Sequence, residues 1–351
     1  NESTQSSDNG GCVAFSEVNN NLNAQFVRCI FTNTHSDKKG ASLYFSANKC
    51  IIISGCNFTD QSSQEGGAIY ITGDPTIDVI DTGFYSTTSN GPGNAIYLDE
   101  TTKPIKISNC IFVDCGTGSD NSVIYSTAAQ LHLSQSQIRF NSQENSCCAL
   151  EIKEKCNLTV ESTQFTNCSS NQDGRAINYN PTSDLNEEEI VLRSNIFTSN
   201  DVYIKLSTIP SITECQFLNN KESSLHIICN LDSNVTLTSC TFDSNTNTTN
   251  GAGIVIESTD ELGIVYEECT FRNNNANTTG GALSISKLQC YFISCSFEGN
   301  SASSGGSLYI SEEQTHYIQS CTFTSETSST ENSGHSIHIE PNSQVFITDS
   351  D

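Results

Sequence analysis

The chain has 351 residues, 40 of them acidic and 15 basic, for a formal charge of −25 at pH 7; it holds 17 Cys and neither Met nor Trp. Such an acidic excess argues against nucleic acid as a partner, because binding its phosphates needs clustered Lys and Arg. Apolar runs such as Cys50–Ile53 fall far short of the roughly 20 residues that cross a bilayer, so no membrane insertion is expected.

Residue 1 is Asn, with no initiator Met and no basic and apolar leader, which reads as a processed or excised piece. The cysteine content suits an oxidising, extracellular setting or a cell surface. The chain opens inside a loop that leads through Gly10 and Gly11 into a strand at Val13 and Phe15. From there one phrase returns twelve times, with an anchor at Phe31, Phe58, Phe84, Phe112, Ile138, Phe165, Phe197, Phe217, Phe242, Phe271, Phe297 and Phe323. Most gaps are 25 to 29 residues; the exceptions are 32 before Phe197 and 20 before Phe217. A period of this length running end to end predicts a solenoid, in which each repeat buries its apolar face against its neighbours.

Each repeat reads as three short strands. Around Phe242, Val235 and Leu237 alternate with polar residues, Cys240 and Phe242 point inward around an outward Thr241, and Ile254 and Ile256 flank Val255. Gly66, Gly93, Gly280, Gly305 and Gly334 stand at the loop exit before the third strand, where a positive φ is expected. There is no helical period and no leucine-rich phrasing. The fold class is therefore all-β: a single parallel β-helix, a solenoid of about 13 rungs of ~26 residues, three short strands per rung, forming one domain over 1–351 without a cap at either end.

Several side-chain columns follow from stacking the rungs. Cys29, Cys56, Cys110, Cys215, Cys240, Cys269, Cys295 and Cys321 share one inward position that Thr82, Ser136, Thr163 and Asn195 fill elsewhere. A site that accepts small polar residues needs small volume before it needs sulfur, so these read as buried thiols. The other nine, Cys12, Cys50, Cys115, Cys147, Cys148, Cys156, Cys168, Cys229 and Cys290, are the disulfide candidates, of unread connectivity. Asn141, Asn200, Asn220, Asn245, Asn274 and Asn300 sit three residues after the anchor and predict an amide ladder. Tyr44, Tyr70, Tyr97, Tyr203 and Tyr309 occupy the outward position of the third strand and form a candidate contact face.

Sequons at Asn1, Asn57, Asn157, Asn167, Asn234, Asn247 and Asn277 are glycosylation candidates. Glu187, Glu188 and Glu189 read as a solvated acidic loop, Glu312, Glu313 and His316 as ordinary polar surface, and His335 and His338 as lying on opposite faces of a strand. No C-x-x-C pair occurs and the five Arg share no rung position, so no cofactor, metal or catalytic residue is expected. At the C-terminus, SQVFITDS reads as a first strand with Ser350 in the cysteine position. Joined to the N-terminus of a second copy, it leaves one rung's length between Gly334 and that copy's Gly10, which predicts a head-to-tail homopolymer.

The pairing of Phe271-x-x-Asn274 with Gly280-Gly-Ala-Leu283 resembles the passenger repeats of chlamydial polymorphic outer-membrane adhesins, and similar repeats occur in surface proteins of some protists. The resemblance covers essentially the whole chain and implies a right-handed parallel β-helix displayed outside a cell, with adhesion as its role. It differs in lacking the C-terminal membrane barrel. The functional expectation is a non-catalytic extracellular structural or surface protein that stacks end to end. The alternatives are an adhesin binding a cell-surface or matrix ligand through its tyrosines, and a polysaccharide lyase or hydrolase.

Overall fold

The computed structural model describes residues 4–6, 9–15, 23–47, 49–116, 121–141, 147–168, 175–179, 189–200, 204–206, 210–221, 225–229, 235–258, 263–286, 288–311, 314–329 and 334–351. The backbone packs as two compact units, Asn1–Glu189 and Ile190–Asp351. The division falls inside the 32-residue gap before Phe197, the longest in the anchor series.

Both units are built from one rung. In the first, a turn runs through strands Cys50–Ser54, Asn57–Thr59 and Ile69–Gly73, and each pairs in parallel and in register with the strand one turn on, as in Ile51↔Ile77, Phe58↔Phe84 and Tyr70↔Tyr97. In the second, Val235–Thr238, Thr241–Asp243 and Ile254–Ser258 do the same, with Leu237↔Tyr266, Phe242↔Phe271 and Ile254↔Leu283. The architecture is a parallel β-helix, and the described residues contain no helix. Among the described residues each unit has six complete three-stranded turns plus a part-turn, Val13–Phe15 in the first and Gln344–Thr348 in the second, so the count differs slightly from the expected 13 rungs.

Period-2 alternation builds the core. Burial runs intermediate, buried, intermediate, buried along Cys50–Ser54, and the same pattern recurs in Gln130–Ser134 and Asn157–Glu161. The anchor rings stack almost coplanar at 4.8, 5.0 and 4.7 Å through Phe31, Phe58, Phe84 and Phe112. The column from Phe197 to Phe323 has spacings of 4.6 to 5.1 Å. Parallel strands set that distance, and each fully buried ring stabilises the fold by about 1.5–3 kcal/mol at most.

Two left-handed corners bracket the second strand of most turns, and sequence reading expected neither. Ser239, Glu268 and Ser294 have φ of 53°, 54° and 54° immediately before Cys240, Cys269 and Cys295, and Ser244 and Asn273 have φ of 58° and 52° before Asn245 and Asn274. For a non-glycine residue this costs roughly 1–2 kcal/mol each, and the side chain just after the corner offsets it. At the first corner, Thr82 Oγ1 donates to the Ile80 carbonyl at 2.8 Å and accepts the Cys56 amide at 3.4 Å. Ser136 repeats the pattern at 2.7 and 3.1 Å, and Cys321 does so through sulfur at 3.3 and 3.4 Å. A small side chain that both donates and accepts is what the position selects, which explains why Cys, Ser and Thr interchange there.

At the second corner the amide ladder forms as expected from Asn200 to Asn300. Each Oδ1 accepts the backbone amide of the Asn one turn below, at 3.0 Å for Asn200 to Asn220 and 2.9 Å for Asn274 to Asn300. From Asn220 onward each Nδ2 donates to the carbonyl of the preceding anchor, as Asn245 does to Phe217 at 3.0 Å and Asn274 to Phe242 at 2.9 Å. Asn141 departs from the expectation: it is exposed and hydrogen-bonds Asp114 at 2.7 and 2.6 Å, because Phe140 fills the interior instead.

Candidate functional site

The strongest surface candidate lies on the third-strand sheet of the first unit. Tyr44, Tyr70, Tyr97 and Tyr125 pair in register on successive turns, and their rings are 5.7, 4.7 and 4.7 Å apart. Tyr125 was missed by sequence reading because its strand, Ser122–Ser126, lacks the glycine lead-in; its spacing of 28 residues from Tyr97 was the available signal. The expectation of an exposed column needs correcting at Tyr70, which is 1% exposed, whereas Tyr44, Tyr97 and Tyr125 are half-buried. Tyr203 lies outside the described residues. Tyr309, in the second unit, stacks on His338 at 5.0 Å and donates its hydroxyl to Glu340 at 2.5 Å.

Tyr70 is covered because charged groups close over it. Lys39 Nζ donates to its hydroxyl oxygen at 2.7 Å, stands 4.2 Å from its ring centroid and pairs with Glu65 at 3.1 Å. The Tyr70 hydroxyl donates in turn to Asp99 at 2.6 Å. Burial, reinforced by the Asp99 hydrogen bond and charge, pushes the Tyr70 phenol well above its ordinary range, and burial likewise raises Tyr97 and Tyr125. The column is thus a neutral aromatic stack edged by carboxylates, with one lysine already bound against it.

A second aromatic column was not anticipated. Tyr291, Tyr317 and Phe346 stack at 5.0 and 5.4 Å on the outward face of the second unit's first-strand sheet, with Tyr317 and Phe346 exposed. The alternation in Gln289–Ile293, Thr315–Gln319 and Gln344–Thr348 carried the signal. Beside them, His316 is buried rather than ordinary surface. It is an inward residue of its strand, its Nδ1 accepts the Cys290 amide at 3.3 Å, and burial lowers its pKa to about 4. Glu312 and Glu313 lie outside the described residues.

The disulfide expectation is corrected at five positions, since Cys50, Cys115, Cys147, Cys156 and Cys290 are free thiols. Two of these sulfurs are held by hydrogen bonds: Cys115 donates to the Phe84 carbonyl at 3.4 Å, and Cys147 donates to the Cys115 carbonyl at 3.4 Å while accepting Asn94 Nδ2 at 3.4 Å. Burial pushes Cys115 up to about 11 and Cys156 up to about 12, which leaves them poor nucleophiles. Cys148 and Cys168 are buried, with sulfurs 3.3 Å from the Leu150 carbonyl and 3.9 Å from the Thr166 carbonyl; Cys12 is exposed. The Cys229 side chain lies outside the described residues.

Among the sequons, Asn57, Asn157 and Asn277 are exposed, whereas Asn167 and Asn247 are half-buried and spend their amide on the carbonyls of Phe140 at 2.8 Å and Asn250 at 2.7 Å. Asn1, Asn234, Glu187 and Glu188 lie outside the described residues, and Glu189 is exposed. His335 is exposed, and His338 turns to Glu340 at 3.3 Å, so the two histidines do not converge. Among the described residues no group of three or more His, Cys, Asp or Glu could hold a metal ion. A shallow cavity of about 320 Å³ in the second unit is lined by amides, hydroxyls and alanines, including Asn275, Asn277, Ser301, Ser303, Thr327 and Ser329.

Residues 121–288 match the family model of the right-handed beta helix region. No curated protein matches the sequence. The in-register parallel turns and stacked interior columns of both units make the architecture a parallel β-helix repeat, and the match over 121–288 supports it.

Proposed function

We propose that this is a non-catalytic extracellular structural or surface protein whose β-helix associates end to end with further copies of the same chain. One observation carries the reading: the described turns stack on one another through parallel, in-register strands and continuous side-chain columns, the same contacts by which a further copy would stack. Ile347 stacks in register on Ile318, which is fully buried, and Ile339 on Ile310, also fully buried; yet Ile347 is 51% and Ile339 43% exposed. Phe346 ends the outer aromatic column at 52% exposed. The strand Gln344–Thr348 is paired on one side by Thr315–Gln319. An open strand edge bearing apolar side chains is a template for another strand.

The first turn of a second copy supplies a partner of matching chemistry. Its strand Asn23–Val27 alternates as the last strand does, placing Ala24 and Phe26 for Val345 and Ile347, and Val13 and Phe15 of its part-turn would meet Ile337 and Ile339. Such an interface is heterologous and grows in one direction. Electron microscopy of the purified protein tests it: particles joined end to end are expected, and single copies at every concentration would overturn it.

The tyrosine column favours a second reading, an adhesin face of the kind the polymorphic outer-membrane adhesins suggest, taking a cationic cell-surface or matrix ligand. Lys39 against Tyr70, with Glu65 and Asp99 beside it, is an internal example of the chemistry such a ligand would use. Replacing Tyr44 and Tyr97 by Ser is expected to weaken surface attachment tenfold or more, and unchanged attachment rejects the reading. Polysaccharide hydrolysis is supported less well, since the residues lining the cavity include no carboxylate to serve as acid or base.

A further inference from the structure

The amide ladder passes to an acid in the turn after Asn300. Glu326 stands three residues after the anchor Phe323, the position that Asn200, Asn220, Asn245, Asn274 and Asn300 hold in the turns before it. In each lower turn the ladder side chain does two things at once. Its oxygen accepts from the Asn below, as Asn300 Oδ1 accepts Asn274 Nδ2 at 3.0 Å, and its nitrogen donates to the preceding anchor carbonyl, as Asn300 Nδ2 does to Phe271 at 2.9 Å.

Glu326 reproduces the accepting half only. Its carboxylate takes Asn300 Nδ2 at 3.5 Å and the hydroxyl of the buried Ser307. The Phe297 carbonyl, which an Asn here would meet with Nδ2, receives the Thr324 hydroxyl at 3.5 Å instead. An ionised carboxylate has no proton to give, whereas a protonated one has an O–H where the ladder has an N–H.

We propose that Glu326 is a proton-operated step of the ladder: protonated, it completes the donor and acceptor pattern and seats its turn; ionised, it leaves that pattern half made and the turn loosened. The surroundings support the neutral form. Burial raises the carboxyl, the Ser307 and Asn300 hydrogen bonds oppose this, and the charge of Glu298 on the adjacent second strand adds a smaller upward push, which together bring it to about 7. Among the described residues of its own turn, His335 is exposed and turned to solvent.

The sign follows from a folded-state affinity for the proton above the ordinary value of 4.5. The stabilisation is fully present below about pH 4.5 and is lost as pH rises through about 7. Glu326→Gln carries the missing donor at every pH. The test measures the folding equilibrium of the intact chain by chemical denaturation from pH 5 to pH 8, for the wild type and for Glu326→Gln. The other carboxylates titrate alike in both, so the difference isolates Glu326. The wild type is expected to lose about tenfold or more in that equilibrium relative to Glu326→Gln between these limits. Parallel curves would overturn the proposal. Hydrogen exchange of the Thr327 and Ser328 amides in the wild type provides a readout that needs no variant: exchange faster at pH 8 than at pH 5, after correction for intrinsic rates, is expected, and equal protection would overturn the proposal.

Discussion

Asn274 shows what a single residue supplies to this fold. It accepts the Asn245 backbone and side-chain amides at 3.1 and 2.9 Å and donates to the Phe242 carbonyl and to Asn300 at 2.9 and 3.0 Å. Removing it strands buried donors and an acceptor, each costing about 1–3 kcal/mol. Asn274→Ala is therefore expected to destabilise the protein by about 3 kcal/mol or more. Asn141→Ala, at the exposed position where the ladder is broken, should change stability by less than about 1 kcal/mol. Denaturant titration of the two variants checks the contrast, and equal effects would show that the ladder is dispensable.

At the scale of the element, the turn is fixed by backbone conformations that few residues adopt. Gly280 has φ of 57°, and a Cβ there would lie 1.9 Å from the Leu283 carbonyl oxygen. Gly280→Ala is expected to cost about 2 kcal/mol or more, since both strain and a backbone clash must be relieved; a melting temperature unchanged from wild type would contradict this account of the loop exit. This corner was legible in the sequence because glycine announces it. The corners at Ser239 and Glu268 were not, because a left-handed Ser or Glu has no signature of its own; its stabilisation comes from the turn below, through bonds such as the Cys240 thiol to the Ile212 carbonyl at 3.7 Å. Period-2 alternation likewise revealed which tyrosines face outward but not that Lys39 and Asp99, from neighbouring turns, would close over Tyr70. His316 was misplaced for a related reason: a polar residue in an inward position looks like loop until the Cys290 amide is seen to use it.

For the whole molecule, the formal charge of −25 opposes association of copies, while the apolar last turn favours it. Charges on separate copies are screened within about 8 Å at physiological ionic strength, whereas the burial of Ile339, Phe346 and Ile347 is insensitive to salt of that strength. End-to-end growth should accordingly strengthen as salt rises from low to physiological concentration. Sedimentation velocity of the wild-type chain and of Ile347→Lys, over a range of concentration at physiological salt, tests this most directly. The wild type is predicted to form species of increasing multiples of the monomer mass while Ile347→Lys stays monomeric; a wild type that remains monomeric throughout, or a variant that associates equally well, would contradict the account.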